Sequence, residues 1–316
     1  MKSYDTIIIG GGAAAYTAGI YAKRYEMSVL LVEEEPGGET VLAWTVENYP
    51  GFKSIDGSEL IEKIIDQAKS LGVEVVDGKA VLVKNQHHCF QVKVEDETYQ
   101  GKTIILATGS ARRKLGLPRE DELKGKGVHY CMTCDGPAYK GKIIAVAGGG
   151  DSAVKAANLA SEYGTQIYLL VREDNLKRAE PINLERLKQK ANVKVFYQTE
   201  IRELVGKKLL TAVKFASGEE LKTDAIFVEI GAVPRIDLAK GLEVKLDDHD
   251  YIEVEPRTMS TNIDGVFAAG DVTNAAGGFK QIVTGAAQGA IAATSAFKDL
   301  GDHGRDVCEL HARPVT

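Results

Sequence analysis

The sequence predicts an α/β protein of two similar domains, the second inserted into the first. Three observations carry that expectation. A β-branched run ending in glycines, then a helical stretch, then a second apolar run occurs near residue 10 and again near residue 148. Further apolar segments, each closed by a glycine, follow both units. The chain has 316 residues, which at about 150 residues per domain is enough for two buried cores.

Composition narrows the class. Hydrophobic residues are 44% and charged residues 27%, which excludes a disordered chain, a fibre and a disulfide-stapled miniprotein. A net charge of −6 argues against a nucleic-acid binder, which would carry a basic stripe. No run approaches the roughly 18 apolar residues of a spanning helix, and the N-terminal apolar run is too short for a signal-peptide core. The expectation is a cytoplasmic protein bound to neither membrane nor nucleic acid. Of the four cysteines, Cys131 and Cys134 form a Cys-x-x-Cys, and Cys89 and Cys308 lie far from it in the sequence.

Each element follows in order. Asp5 to Ile9 is a continuous apolar run ending at Gly10-Gly11-Gly12, as a buried parallel strand and a tight turn require. Residues 13–25 read as a helix and Val29 to Glu33 as the next strand, a β-α-β unit. The pattern returns about 138 residues later: Lys142 to Ala147, then Gly148-Gly149-Gly150, a helix over 152–163 and a strand over 166–171. Recurrence once, at long spacing, means two Rossmann-like three-layer (ββα) domains rather than a solenoid. Strands ending in glycine are also expected at 103–109, 225–231 and 265–271. Alternating segments such as Gln91 to Val94 are expected to be antiparallel strands covering one face, with His87 and His88 beside a hairpin. Lys114 to Lys126, with its glycines, proline and charges, reads as an interdomain linker, and a second crossing is expected near Leu238 to Val244. The first domain would then be residues 1–115 with 245–316, and the second 116–244.

Gly10-x-Gly12-x-x-Ala15 is a dinucleotide fingerprint. The first glycine makes the turn, the second lets the backbone approach a pyrophosphate, and the small third residue lets helix and strand pack. Helix N–H groups then face the phosphates, and Glu33 ends the next strand where an acid accepts a ribose hydroxyl. Gly148-x-Gly150-x-x-Ala153 repeats the logic, but the position 23 residues after its first glycine is Val171. Arg172, Glu173 and Arg178 follow. Arginines suit a 2′-phosphate and the acid suits a 2′-hydroxyl, so NADPH and NADH both remain open.

Cys131-Met132-Thr133-Cys134-Asp135 lies just before the second unit. A Cys-x-x-Cys can carry two electrons as dithiol or disulfide, and Asp135 is a candidate acid–base for the protons that move with them. Zinc is the alternative, but it needs four ligands, and only His129 adds to this single pair.

These motifs together resemble the low-molecular-weight thioredoxin reductases. The likeness runs almost end to end, through Gly37-Gly38, residues 46–52, Ala107-Thr108-Gly109, the cysteine motif, Gly148 to Ala153, Ala269 to Val272 and Gln281. It implies a homodimeric flavoprotein passing electrons from NADPH or NADH through FAD to thioredoxin or a similar small protein. Gly10, Gly12, Ala13, Ala14, Ala15, Glu33, Gly38, Glu39, Asn48, Ala80, Ala107, Thr108, Gly109, Gly270, Asp271, Gln281 and Ile282 would serve FAD. Gly148, Gly150, Asp151, Ser152, Ala153, Arg172 and Arg178 would serve the nicotinamide nucleotide, with NADPH favoured by the two arginines. Cys134 would sit nearest the flavin, Cys131 would attack the partner's disulfide, and Asp135 would supply the proton. Alternating domain orientations, with hinge glycines near 116 and 125, would let one flavin face serve both partners. The chain departs from the pattern at Val171-Arg172-Glu173, where the family has His-Arg-Arg, at Lys155-Ala156, where it has two acids, and at Glu39, where it has glutamine. Another electron donor such as ferredoxin, a glutaredoxin-like acceptor, and a low-turnover redox sensor are the competing readings.

Overall fold

The structure is a computed structural model and describes residues 2–86 and 89–302. The chain forms two compact units, one of residues up to 110 and from 234 onward, the other of residues 111–233.

In the first unit the strand Ser3–Ile9 lies between Val29–Glu33 and Glu97–Leu106, all parallel, with Ile7 opposite Leu30 on one side and Ile104 on the other. Glu74–Asp77 extends the sheet beyond Val29–Glu33. The long strand Glu97–Leu106 does two jobs. Its first half pairs antiparallel with Cys89–Val94, which pairs in turn with Ala80–Gln86. Its second half pairs parallel with Val266–Ala268. Both faces of the parallel part are covered, which is why these strands read as unbroken apolar runs. One face packs under the helices Ala13–Arg24 and Ile282–Asp302, the other against the antiparallel strands and the segment from Ile236 to Val244. The two helices cross closely. A Cβ added to Gly289 would lie 2.1 Å from the Ala14 carbonyl oxygen, so the small residues at this crossing are a packing requirement.

The second unit repeats the plan with a different cover. Five parallel strands run in the order Val128–His129, Ala225–Val228, Ile143–Ala147, Gln166–Leu170, Val193–Phe196. The helices Asp151–Tyr163 and Pro181–Lys188 contribute to the core on one face, and the antiparallel strands Ile201–Val205 and Ala212–Phe215 to that on the other, with Glu220–Lys222 beside them.

Both crossings fall earlier than the glycine and charge pattern suggested. Residues 114–126 are not a linker. Glu120, buried in the short helix Glu120–Leu123, accepts the N–H groups of Leu115 and Gly116, each at 2.7 Å, and Leu115 and Leu117 pack on the core around Leu123 and Val128. Nor does the chain cross near 238–244: Ile236, Ala239, Leu242 and Val244 are buried in the first unit's core. No described helix is long and apolar enough to span a membrane.

Candidate functional site

The first unit's glycine turn is shaped by a backbone crossing. Gly10 has φ 140°, and a Cβ there would lie 2.0 Å from the Ala107 carbonyl oxygen, because Ala107 N–H bonds to Ile9 O at 2.8 Å. Gly12, by contrast, faces open space. Gly38 closes on it from the side, 3.2 Å from Gly12 Cα to an added Cβ. The helix Ala13–Arg24 begins here with no side-chain cap, so its first N–H groups are available to an anion.

Glu33 stands beside the turn, 4% exposed. Its Oε1 accepts the Tyr16 hydroxyl at 2.8 Å. Its Oε2 is buried with no hydrogen-bond partner among the described residues, 2.8 Å from where a Gly11 Cβ would sit. Burial raises its carboxyl above the usual range, and the Tyr16 hydrogen bond only partly opposes this. A buried acceptor without a donor is costly, and a ribose hydroxyl would supply one. An open cradle at Gly12, uncapped helix N–H groups and an unsatisfied acid together fit a dinucleotide such as FAD.

The other flavin candidates divide. Ala13, Ala14 and Ala15 are buried in the helix's first turn. Gly270 abuts Ala14, placing Asp271 beside that helix start, where burial raises the Asp271 carboxyl against the opposing pull of Lys280. Asn48 Nδ2 donates to Gln281 Oε1 at 3.0 Å, just before the helix beginning at Ile282. Thr108 Oγ1 donates to Arg235 O at 2.7 Å, and Gly109 O accepts the Arg235 N–H. Glu39 is half-buried in the turn Gly38–Leu42. Ala80 is buried with Val32 and Val94 in the core of the other sheet face.

The second glycine turn repeats the first. Gly148 has φ 146°, with an added Cβ 2.2 Å from the Glu229 carbonyl oxygen, while Gly150 faces open space. Ala153 is fully buried and Ser152 exposed. The Asp151 carboxylate turns to its own and the neighbouring helix: it pairs with Lys155 at 2.8 Å and accepts from Asn183 Nδ2 and Glu180 N–H, each at 2.9 Å. Burial pushes its carboxyl up, but these bonds outweigh that and hold it below the usual range. A lowered carboxyl stabilises the fold above its unfolded value and loses that contribution as pH falls through the folded one. Asp151→Ala is therefore expected to cost about 1–3 kcal/mol at pH 7, with the gap in urea midpoint closing below about pH 4. A gap unchanged at pH 3 would show that charge is not the cause. Arg172 and Arg178 both lie on the exposed turn after the second strand, Arg178 bonded to Glu173 Oε1 at 2.9 Å.

Cys131 and Cys134 are joined as a disulfide. Cys131 caps the short helix Met132–Asp135, its Sγ accepting the Cys134 N–H at 3.1 Å, and Cys134 is the more exposed of the two. Sequence reasoning missed what holds Asp135. His129 Nδ1 lies 3.1 Å from Asp135 Oδ2, its Nε2 lies 2.7 Å from the Tyr139 hydroxyl, and its ring stacks on Phe227 at 5.2 Å. His129 is buried, so the acid next to the disulfide is anchored from inside the unit. The signal was only a histidine two residues before the motif, weighed there as a zinc ligand. Among the described residues no cluster of three His, Cys, Asp or Glu side chains is placed to hold a metal. Cys89 is buried at the start of its strand. His87, His88 and Cys308 lie outside the described residues.

Two glycine-turn nucleotide folds, one carrying a Cys-x-x-Cys disulfide beside an anchored acid, define a dinucleotide-dependent disulfide oxidoreductase. Residues 4–289 match the pyridine nucleotide-disulphide oxidoreductase family. The chain is 39% identical over 306 residues to the thioredoxin reductase of Mycolicibacterium smegmatis, covering 95% of this chain and 97% of that one. The crystal structure of Lactococcus lactis thioredoxin reductase superposes with a TM-score of 0.90 at 35% identity, covering 95% and 99%. That of T. acidophilum thioredoxin reductase does so with 0.88 at 36% identity, covering 95% and 99%. The chain belongs to the pyridine nucleotide-disulphide oxidoreductases, among the low-molecular-weight thioredoxin reductases.

Proposed function

We propose that this enzyme reduces the disulfide of thioredoxin or a similar small protein, with electrons from a nicotinamide nucleotide passing through FAD and the Cys131–Cys134 pair. The observation that carries the reading is that pair, held as a disulfide beside Asp135 in a unit with its own glycine turn. The first unit takes FAD: the turn at Gly10 to Gly12 receives the pyrophosphate, and Glu33 Oε2 accepts a ribose hydroxyl. The second unit takes the nicotinamide nucleotide. When bound, FAD would supply the two-electron chemistry that links a nicotinamide nucleotide to a disulfide.

The remaining steps belong to the chain's own residues. Two electrons and two protons convert Cys131–Cys134 to two thiols. Cys131, as thiolate, then attacks the acceptor's disulfide and releases one acceptor sulfur. Cys134 attacks the mixed disulfide, which restores the Cys131–Cys134 bond and frees the second acceptor thiol. Asp135, oriented by His129, moves the proton at the cysteine pair. A homodimer in the cytoplasm, where thiols are kept reduced, completes the reading.

The test is an anaerobic titration of the flavin-loaded protein with NADPH and, separately, NADH, followed by addition of oxidised thioredoxin. Bleaching of the flavin by a nicotinamide nucleotide and its return on adding thioredoxin are expected. Bleaching by dithionite alone would sink the reading and point to another donor, such as ferredoxin.

A further inference from the structure

We propose that Glu173 makes this enzyme prefer the unphosphorylated dinucleotide, NADH over NADPH, by accepting the adenosine ribose 2′-hydroxyl; this rests on reading the second unit as the nicotinamide site. The chain contains its own template. In the first unit Glu33 Oε2 lies 2.8 Å from a Cβ built on Gly11, the middle glycine of the turn. In the second unit Glu173 Oε2 lies 2.9 Å from a Cβ built on Gly149, again the middle glycine. The two carboxylates therefore stand over their turns in the same way.

Counting along the chain hides this. Glu33 follows Gly10 by 23 residues, but Glu173 follows Gly148 by 25. The inner position goes to Val171, which is fully buried with Cγ1 3.0 Å from the Gly149 Cβ position. The chain runs out to exposed Arg172 and then brings Glu173 back over the glycine. Arg178 secures it there. Its Nη2 bonds to Glu173 Oε1 at 2.9 Å, and its backbone bridges Gly150. Oε1 is thus taken by Arg178 while Oε2 faces the turn.

This arrangement suits a diol and opposes a phosphate. A carboxylate oxygen accepts a hydroxyl hydrogen. A 2′-phosphate, carrying close to two negative charges, would meet that carboxylate instead, and the nearby cation, Arg178 Nη2, 3.7 Å from the same Gly149 Cβ position, already pairs with Glu173 Oε1. Arg172, 3.7 Å from Glu173 with its side chain 80% exposed, is not fixed towards the turn.

The test is calorimetric binding of two fragments, ADP-ribose and its 2′-phosphate, to the oxidised flavin-loaded protein. This reads the site without turnover, flavin reduction or any acceptor. ADP-ribose is expected to bind at least about tenfold more tightly, because like charges set against each other carry a large penalty. Glu173→Gln should bring the two affinities within about threefold, and Glu173→Ala, which frees Arg178, should favour the phosphorylated fragment. Thermal melts of both variants check that the exposed turn has not unfolded the unit. Tighter binding of the phosphorylated fragment by the unaltered protein, or an unchanged preference in both folded variants, overturns the proposal and leaves the disulfide-reductase reading intact. Failure of both fragments to bind overturns this proposal and the reading of the second unit as the nicotinamide site.

Discussion

Replacing Cys134 with serine, or Cys131 with serine, is expected to cut turnover with thioredoxin by at least about a thousandfold, as removal of a nucleophile generally does. The reason is chemical rather than structural. A hydroxyl cannot form or exchange the bond that now joins Cys131 to Cys134, so the two-electron relay ends before the acceptor. The local fold should survive. Cys131 caps the helix Met132–Asp135 by accepting the Cys134 N–H, and serine is a good residue at that position. The two variants separate the relay from the nucleotide sites. Flavin bleaching by the nicotinamide nucleotide should remain near the unaltered rate, while reduction of thioredoxin disappears. Retention of more than about a tenth of thioredoxin turnover in both variants would mean that another group carries the electrons.

Gly10→Ala is expected to be severely damaging, costing more than about 4 kcal/mol and yielding protein without bound flavin. Two independent faults coincide there. The backbone lies at φ 140°, and the added carbon would lie 2.0 Å from the Ala107 carbonyl oxygen. That oxygen cannot retreat, because the Ala107 N–H is bonded to Ile9 and the strand before it is central in the sheet. Gly12→Ala two residues away is the control. Gly12 has φ −90° and nothing within 4 Å of the new methyl, so the fold tolerates it, but the methyl fills the cradle. Its melting temperature without flavin should be close to that of the unaltered protein, and its flavin affinity lower by at least about tenfold. A Gly10→Ala protein that holds stoichiometric flavin at an unchanged melting temperature would contradict this account of the turn.

The same chain shows where sequence reasoning works and where it stops. The repeated strand–glycine–helix pattern was legible because parallel strands covered on both faces must be apolar throughout, and because a backbone crossing such as that of Gly10 with Ala107 leaves no room for a side chain. The cysteine pair was legible from spacing alone. Lys114 to Lys126 was misread, because its glycines and charges look like a linker. Its structure depends on one buried carboxylate, Glu120, gathering N–H groups from residues four and five positions earlier. His129 was visible but not its role, since its partners are Asp135 and Tyr139 on following turns and Phe227 on a strand nearly a hundred residues away.

By itself, then, the sequence determined the class of chemistry: two dinucleotide turns and a redox pair are local patterns, each set by the conformation that a few adjacent residues can adopt. The tertiary structure decided which acid stands over which turn and which group holds the acid beside the disulfide. A fixed count from the glycine finds Glu33 but lands on buried Val171 in the second unit, and only the path of the chain beyond that strand, pinned by Arg178, brings the Glu173 carboxylate back over Gly149. Distances of that kind are set by packing between segments far apart in the chain, which no local pattern records.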